Sequence, residues 1–214
     1  AAQHRLEVEA ELRPAIALGH IVPYYQPVVD LSSGRIVGAE ALARWRKPDG
    51  ALVSPAEFIP VAEQTGLVTS IDMAVLSQAC PQTQAWTKAG LGRLRVSCNI
   101  SARHLQRGNL PGDIRAILDA SGLPAAQLAL EITETVYMEN IDKARTMLDA
   151  VTDLGVRILL DDFGTGYSSL SYLQALSFDV IKIDRLFVKD LPDASSLALL
   201  RAMLGIAAGL GVTS

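Results

Sequence analysis

Apolar residues recur along this chain in two rhythms, and the change from one to the other outlines its architecture. From Arg5 to about Leu18, the residues Leu6, Leu12 and Ile16 fall at near-helical spacing among charges, so an amphipathic leading helix is expected to end near Gly19. Ile21 to Leu31 and Arg35 to Trp45 are rich in Val, Tyr and Ile and are separated by Ser32-Ser33-Gly34, which predicts two strands joined by a tight turn. Ser54-Pro55-Ala56-Glu57 places Ser at the N-cap, Pro at the first helical position and Glu at the third, a capping box opening a helix that runs to Gly66. A second helix is expected from Ser70 to about Gly90. Pro81 lies inside it and removes a hydrogen bond at a cost of about 3 kcal/mol, so a kink or break is expected there.

Beyond this point short apolar runs alternate with helical segments. Leu94 to Ile100, Leu128 to Ile132, Val156 to Leu160 and Asp179 to Ile183 are apolar on both faces, as buried parallel strands are. Helices are expected near Asp113–Ala120, Ile141–Leu154 and Ser195–Leu210, with Gly122, Gly155 and Gly211 as their stops. Repeated strand–helix units imply an α/β fold with a parallel sheet, doubly wound or closed as a barrel. No internal repeat or low-complexity linker interrupts the series.

The polar residues at the ends of the apolar runs carry the chemistry. The strands lead into Glu40, Asn99, Glu131, Asp161-Asp162 and Lys182. In a parallel barrel the C-terminal strand ends converge on one mouth, so residues distant in sequence become neighbours there. One acidic strand end is commonly a loop start or an N-cap. Several carboxylates in a half-buried mouth repel one another and resist desolvation, so a cation is expected among them. A set of Glu, Asp and Asn without His or Cys suits hard ions, Mg2+ or Mn2+, with Ca2+ as an inhibitory occupant. The adjacent Asp161 and Asp162 suit a two-ion site if the strand ends at that point. Lys182 precedes Asp184 by two strand positions and faces the same side; it either orients the attacking water or forms a structural ion pair with a neighbouring Asp.

Asp162-Phe163-Gly164-Thr165-Gly166-Tyr167-Ser168-Ser169 is Gly-rich, but it lacks the Lys-Ser/Thr ending of a phosphate loop and has Ser169 where the dinucleotide fingerprint needs Gly. A mobile catalytic loop fits better, and Glu134, just beyond Glu131, is placed to hold it through hydrogen bonds.

Composition narrows the classes. With 214 residues, half of them apolar, the chain suits a single domain, 1–214, with one core. A net charge of −4 argues against DNA or a membrane surface as partner, and leaves Arg44, Arg46 and Lys47 as local cations for an anionic substrate. Leu197 to Val212 is broken by Arg201 and by Gly, short of the roughly 18 apolar residues of a membrane span. No export signal precedes the leading helix, so a cytoplasmic location is expected, with any membrane anchor of a parent protein lying in other domains. Cys80 and Cys98 lie in apolar segments without CxxC spacing and read as buried reduced thiols.

Taken in order, Tyr25-Gln26-Pro27, Glu40-Ala41-Leu42-Ala43-Arg44-Trp45, Ser54-Pro55-Ala56-Glu57-Phe58-Ile59-Pro60, Asn99-Ile100-Ser101-Ala102, Glu131-Ile132-Thr133-Glu134, Asp161-Asp162-Phe163-Gly164-Thr165-Gly166-Tyr167-Ser168-Ser169-Leu170 and Ile181-Lys182-Ile183-Asp184 resemble the EAL domain family. Each motif is weak alone, and their order is highly specific. The resemblance implies a modified (β/α)8 TIM-type barrel whose first strand is antiparallel, and an enzyme that hydrolyses cyclic di-GMP to linear pGpG in bacterial signalling. It implies Glu40, Asn99, Glu131, Asp161 and Asp162 as metal ligands, and Lys182 as the lysine that orients water. It also implies Glu134 as the support of the Gly-rich loop, and Gln26, Leu42 and Arg44 as substrate contacts; Lys182, Glu134 and Glu40 form the expected catalytic set. A homodimer and an upstream cyclase-like GGDEF or sensory domain are further family expectations. The family pattern continues past Gly211 with two more strands bearing a glutamate and a glutamine, whereas this chain ends at Ser214, so the barrel is expected to lack its last staves. Two alternatives stand beside the enzyme: a module that binds cyclic di-GMP without turnover, and a scaffold that binds neither metal nor nucleotide.

Overall fold

The computed structural model describes residues 2–107, 109–133, 141–164 and 178–214. Helix α1 (Ala2–Ala17) leads into the antiparallel pair β1 (Ile21–Val29) and β2 (Ile36–Arg46), and a short β3 (Leu52–Val53) folds back on β2. Next come α2 (Pro55–Thr65), α3 (Val68–Lys88), β4 (Arg95–Asn99), α4 (Ala102–Arg107), α5 (Leu110–Ser121) and β5 (Leu128–Thr133). The chain closes with α6 (Ile141–Thr152), β6 (Arg157–Phe163), β7 (Val180–Ile183) and α7 (Ala194–Leu210). The sheet runs β1-β2-β4-β5-β6-β7, with every neighbouring pair from β2 to β7 parallel. Beyond β7, Thr213 makes a parallel bridge to Val180.

The β1–β2 turn is tied by Asp30, whose Oδ1 accepts from the Ser33 amide at 2.8 Å and from the hydroxyls of Ser32 and Ser33. These bonds hold the Asp30 carboxyl down at about 2. Gly19, Gly122, Gly155 and Gly211 all take the left-handed conformation expected of residues that stop helices.

Parallel pairing sorts the side chains by face. Ala41, Cys98, Leu130 and Ile158 stand in one cross-strand row, and Ile132, Leu160 and Ile181 in the next. All are buried, and α3 and α6 pack against strands of this sheet. The opposite face is more polar and bounds a cavity of about 190 Å³ lined by residues including Glu40, Ser97, Arg95, Glu131 and Lys182. Burial on both faces holds for β5, whereas in β6 and β7 the apolar Leu159, Val180 and Ile183 are only half-buried.

Two local expectations are also revised. The Ser54 side chain makes no capping hydrogen bond; α2 starts instead on Pro55, with the Glu57 amide donating to the Ser54 carbonyl at 2.9 Å. Helix α3 continues through Pro81 without a break. Both Pro81 and Ser77, whose carbonyl loses its partner, are exposed, so water can satisfy that carbonyl.

Candidate functional site

Sheet register alone brings the polar strand residues together, although Glu40 lies in the middle of β2 rather than at its end. Glu40 stands opposite Ser97, Asn99 opposite Glu131, and Thr133 opposite Asp161. Because side chains two positions apart share a face, this pairing puts Glu40, Asn99, Glu131 and Asp161 on the cavity side. Lys182, two positions after Val180, joins them through the Leu159–Val180 pair.

One carboxylate oxygen from each of Glu40, Glu131 and Asp161 lies within 4.8 Å of the other two. Lys182 sits against all three. Its Nζ is 3.0 Å from Glu40 Oε2 and 3.1 Å from Asp161 Oδ1, and it donates to Glu131 Oε2 in the tightest contact of the group. The structural ion pair with a neighbouring Asp is present, to Asp161, as one contact of a fourfold ionic junction contributed by β2, β5, β6 and β7. Asn99 Nδ2 donates to Glu40 Oε1 at 3.1 Å, so the amide braces one of the carboxylates.

Glu131 is 2% exposed, and its burial pushes its pKa up to about 7 against the opposing pull of Lys182; the charge of Glu40 adds to the rise. Burial alone would depress Lys182, but Glu131, Asp161 and Glu40 outweigh it and hold its pKa above the ordinary lysine value. The ammonium is therefore a fixed donor. One ammonium does not balance three carboxylates, and this excess of negative charge on oxygen donors fits a divalent cation. Glu40, Glu131 and Asp161 are the residues placed to hold it.

Asp162 takes a different course. The strand does not end at Asp161: β6 continues to Phe163 through an irregularity in its register with β7. Asp162 has φ 55°, an uncommon value for a residue with a side chain, although Asp tolerates it better than most. Its carboxyl is raised by burial, by Asp161 and by a hydrogen bond with Asp184. It lies outside the group of three whose oxygens meet. Next to it Gly164, at φ 96°, lies where a Cβ would collide with Met203 and approach Phe187 to 2.9 Å. Thr165 to Ser169 and Glu134 lie outside the described residues.

Gln26 is the register partner of Glu40 and is exposed on the same face. Leu42 and Arg44, two and four positions beyond Glu40, share that face and are half-buried. Arg44 Nη1 donates to the Ala43 carbonyl at 2.8 Å, with its guanidinium 5.8 Å from the Tyr24 ring. Of the basic cluster, Lys47 is drawn to Glu11 on α1 at 2.9 Å and away from a substrate role.

Sequence reasoning missed the layer behind Asn99. Asp72 on α3 accepts from the Ser101 amide at 3.0 Å and from the Ser101 hydroxyl at 2.6 Å. His104 lies beside it, and Ser97 hydrogen-bonds Glu131. A carboxylate among Ile71, Val75 and Leu76 on an otherwise apolar helix face was the available signal. The two cysteines match expectation: both are free and buried. Among the described residues no helix is long and apolar enough to cross a membrane.

Known proteins resemble this chain in sequence and fold. The cyclic di-GMP phosphodiesterase NbdA of Pseudomonas aeruginosa is 42% identical over 191 residues, covering 89% of this chain and 24% of the relative. The bifunctional diguanylate cyclase/cyclic di-GMP phosphodiesterase MucR of the same organism is 37% identical over 206 residues, covering 96% of this chain and 30% of the relative. A solved structure described as the PaMucR phosphodiesterase in complex with c-di-GMP superposes with a TM-score of 0.89 at 36% identity, covering 96% of this chain and 84% of that one. The chain spans about a quarter to a third of the length of the curated relatives it matches. The EAL domain pattern matches residues 9–214, and its barrel-like fold with an antiparallel first strand is the one seen here: the chain belongs to the EAL domain family.

Proposed function

We propose that this chain is the phosphodiesterase domain of a signalling protein and hydrolyses one phosphodiester of cyclic di-GMP to give linear pGpG. The observation that carries the reading is the junction of Glu40, Glu131 and Asp161 around Lys182 on the strands of an EAL domain. It is supported by the likeness to a MucR structure described as a c-di-GMP complex.

In this reading Glu40, Asn99, Glu131, Asp161 and Asp162 hold one or two divalent cations, Mg2+ or Mn2+, with Ca2+ as an inhibitory occupant. Bound there, the cation supplies Lewis-acid stabilisation of charge developing on the phosphate. The protein does the rest. Lys182, kept protonated by its carboxylate neighbours, donates a hydrogen bond that orients the attacking water, and it does not serve as the base. Arg44, on the same face as Glu40, meets a phosphate oxygen, while Gln26 and Leu42 contact the remainder of the nucleotide. Glu134 steadies the Gly-rich loop. The upstream partner is a GGDEF or sensory domain, and the working unit is a homodimer.

The test is chromatographic detection of pGpG from cyclic di-GMP with full-length protein in Mg2+ or Mn2+. Turnover that disappears in Glu40→Ala is expected. No linear product from the wild type, or Glu40→Ala cleaving as fast as wild type, refutes the assignment.

A further inference from the structure

A second polar network lies behind Asn99, at the level where the sheet meets α3, α4 and α5. Asp72 is 7% exposed and His104 fully buried. Asp72 Oδ2 accepts from both the amide and the hydroxyl of Ser101. The same oxygen is 3.3 Å from His104 Nδ1, an ion-pair contact without hydrogen-bond alignment. On its other side His104 Nε2 is 3.2 Å from Asp113 Oδ2 on α5, and Asp113 Oδ1 accepts from Asn109 at 2.8 Å.

Carboxylates only accept, so an imidazole flanked by one at each nitrogen is favoured as the doubly protonated cation. Burial alone would lower the His104 pKa, but Asp72 and Asp113 outweigh it and the pKa is raised. Burying the imidazole and the Asp72 carboxylate, with Asp113 half-buried beside them, costs desolvation energy that apolar residues would avoid. The geometry shows what that cost secures. Asn99-Ile100-Ser101 is held on one side by β5, through the Ile100 amide donating to the Glu131 carbonyl at 2.9 Å, and on the other by Asp72. Of these three residues, Asn99, directly before the two anchors, is the one whose side chain bonds a member of the carboxylate junction, Glu40.

We propose that Asp72 is a positioning residue for Asn99, fixing through Ser101 the direction in which the amide meets the cation site, with His104 as the buried counter-charge that keeps the Asp72 carboxylate in place. This rests on the cation-site reading given above. Residues that bond a metal ligand directly typically change metal affinity by about 10- to 100-fold, and Asp72 acts one step further out, through Ser101.

The test is calorimetric titration of metal-free full-length protein with Mn2+, beside urea unfolding in EDTA. Asp72→Asn is expected to weaken Mn2+ binding by about tenfold or more, and Ser101→Ala, which keeps the amide bond to Asp72, by several-fold. Turnover lost at low Mn2+ should return at saturating Mn2+. The control is Thr83→Ala, a buried hydroxyl on α3 about 16 Å along the helix, whose Oγ1 donates to Ala79. It should lower stability and leave the Mn2+ Kd unchanged. Wild-type Kd values in both Asp72→Asn and Ser101→Ala would overturn the inference, as would an equal weakening in Thr83→Ala. If Asp72→Asn does not fold, Ser101→Ala decides alone. A wild type that takes up no Mn2+ removes the cation site itself, and the inference with it; normal uptake by all variants removes only the inference.

Discussion

Replacing Lys182 with Met keeps the volume of the side chain and deletes its charge, which isolates the electrostatics of the junction. At 3.0 Å, one ammonium–carboxylate contact is worth roughly 5 kcal/mol at an effective dielectric of 20, before desolvation. Two carboxylate oxygens no more than 4.8 Å apart repel by at least roughly 3.5 kcal/mol on the same scale. Neither figure is the net effect, because the ammonium was itself desolvated and Glu131 can escape repulsion by taking up a proton. Removal of one partner from a buried ionic group costs about 3–5 kcal/mol, and the partial exposure of Glu40 and Asp161 favours the lower end. The expected loss for Lys182→Met is therefore about 3 kcal/mol in urea unfolding at pH 8 with EDTA. The pH dependence has a definite sign. Glu131 already has a raised pKa, and loss of Lys182 raises it further, so the deficit is largest at high pH and shrinks as pH falls and Glu131 protonates. Mn2+ should restore stability, by about 2.7 kcal/mol at a hundred times its Kd. Turnover should still fall by about 10²- to 10⁴-fold, since water loses its orienting donor. A variant as stable as wild type at pH 8 in EDTA, or a deficit indifferent to both pH and Mn2+, would refute the electrostatic account.

Three further outcomes test other parts of the structure. Because the His104 pKa is raised in the folded state, its contribution to stability is full below the unfolded value of 6.5 and is lost as pH rises through the folded value; metal-free melting curves should show this decline above pH 6.5, and His104→Gln should abolish it. Gly164→Ala puts a methyl group against Met203 and Phe187 at φ 96° and should cost about 1–3 kcal/mol, measured by urea unfolding; a neutral result would mean that this contact is not maintained in solution. Burial pushes the Cys80 thiol up to about 12 and Cys98 well above its ordinary value, so neither should react with a disulfide reagent at pH 8 until the protein unfolds.

The sequence by itself determined the order of most elements and marked a polar residue in each parallel strand, because both are local properties, although only Asn99 closes its strand and Glu40 lies in the middle of β2. Apolar rhythm, Gly stops and the Ser-Ser-Gly turn act within a few residues, and the strands and helices they mark are observed, whereas the short β3 and α4 carried too little pattern to be expected. The family likeness supplied the ligand set as an expectation. The sequence could not determine which of these side chains touch. Lys182 lies 142 positions from Glu40 and 51 from Glu131, and only the parallel register of the sheet brings them onto one face. Tertiary structure likewise decided that β6 carries Asp161 and Asp162 through a backbone irregularity that sends them to different partners. It also decided that Pro81 is tolerated in an unbroken helix, and that Asp72 and His104 stand behind Asn99. The physical reason is common to all of these: backbone propensity is set by neighbours in the chain, whereas the energy of a buried charge is set by whatever the fold places within a few ångströms of it.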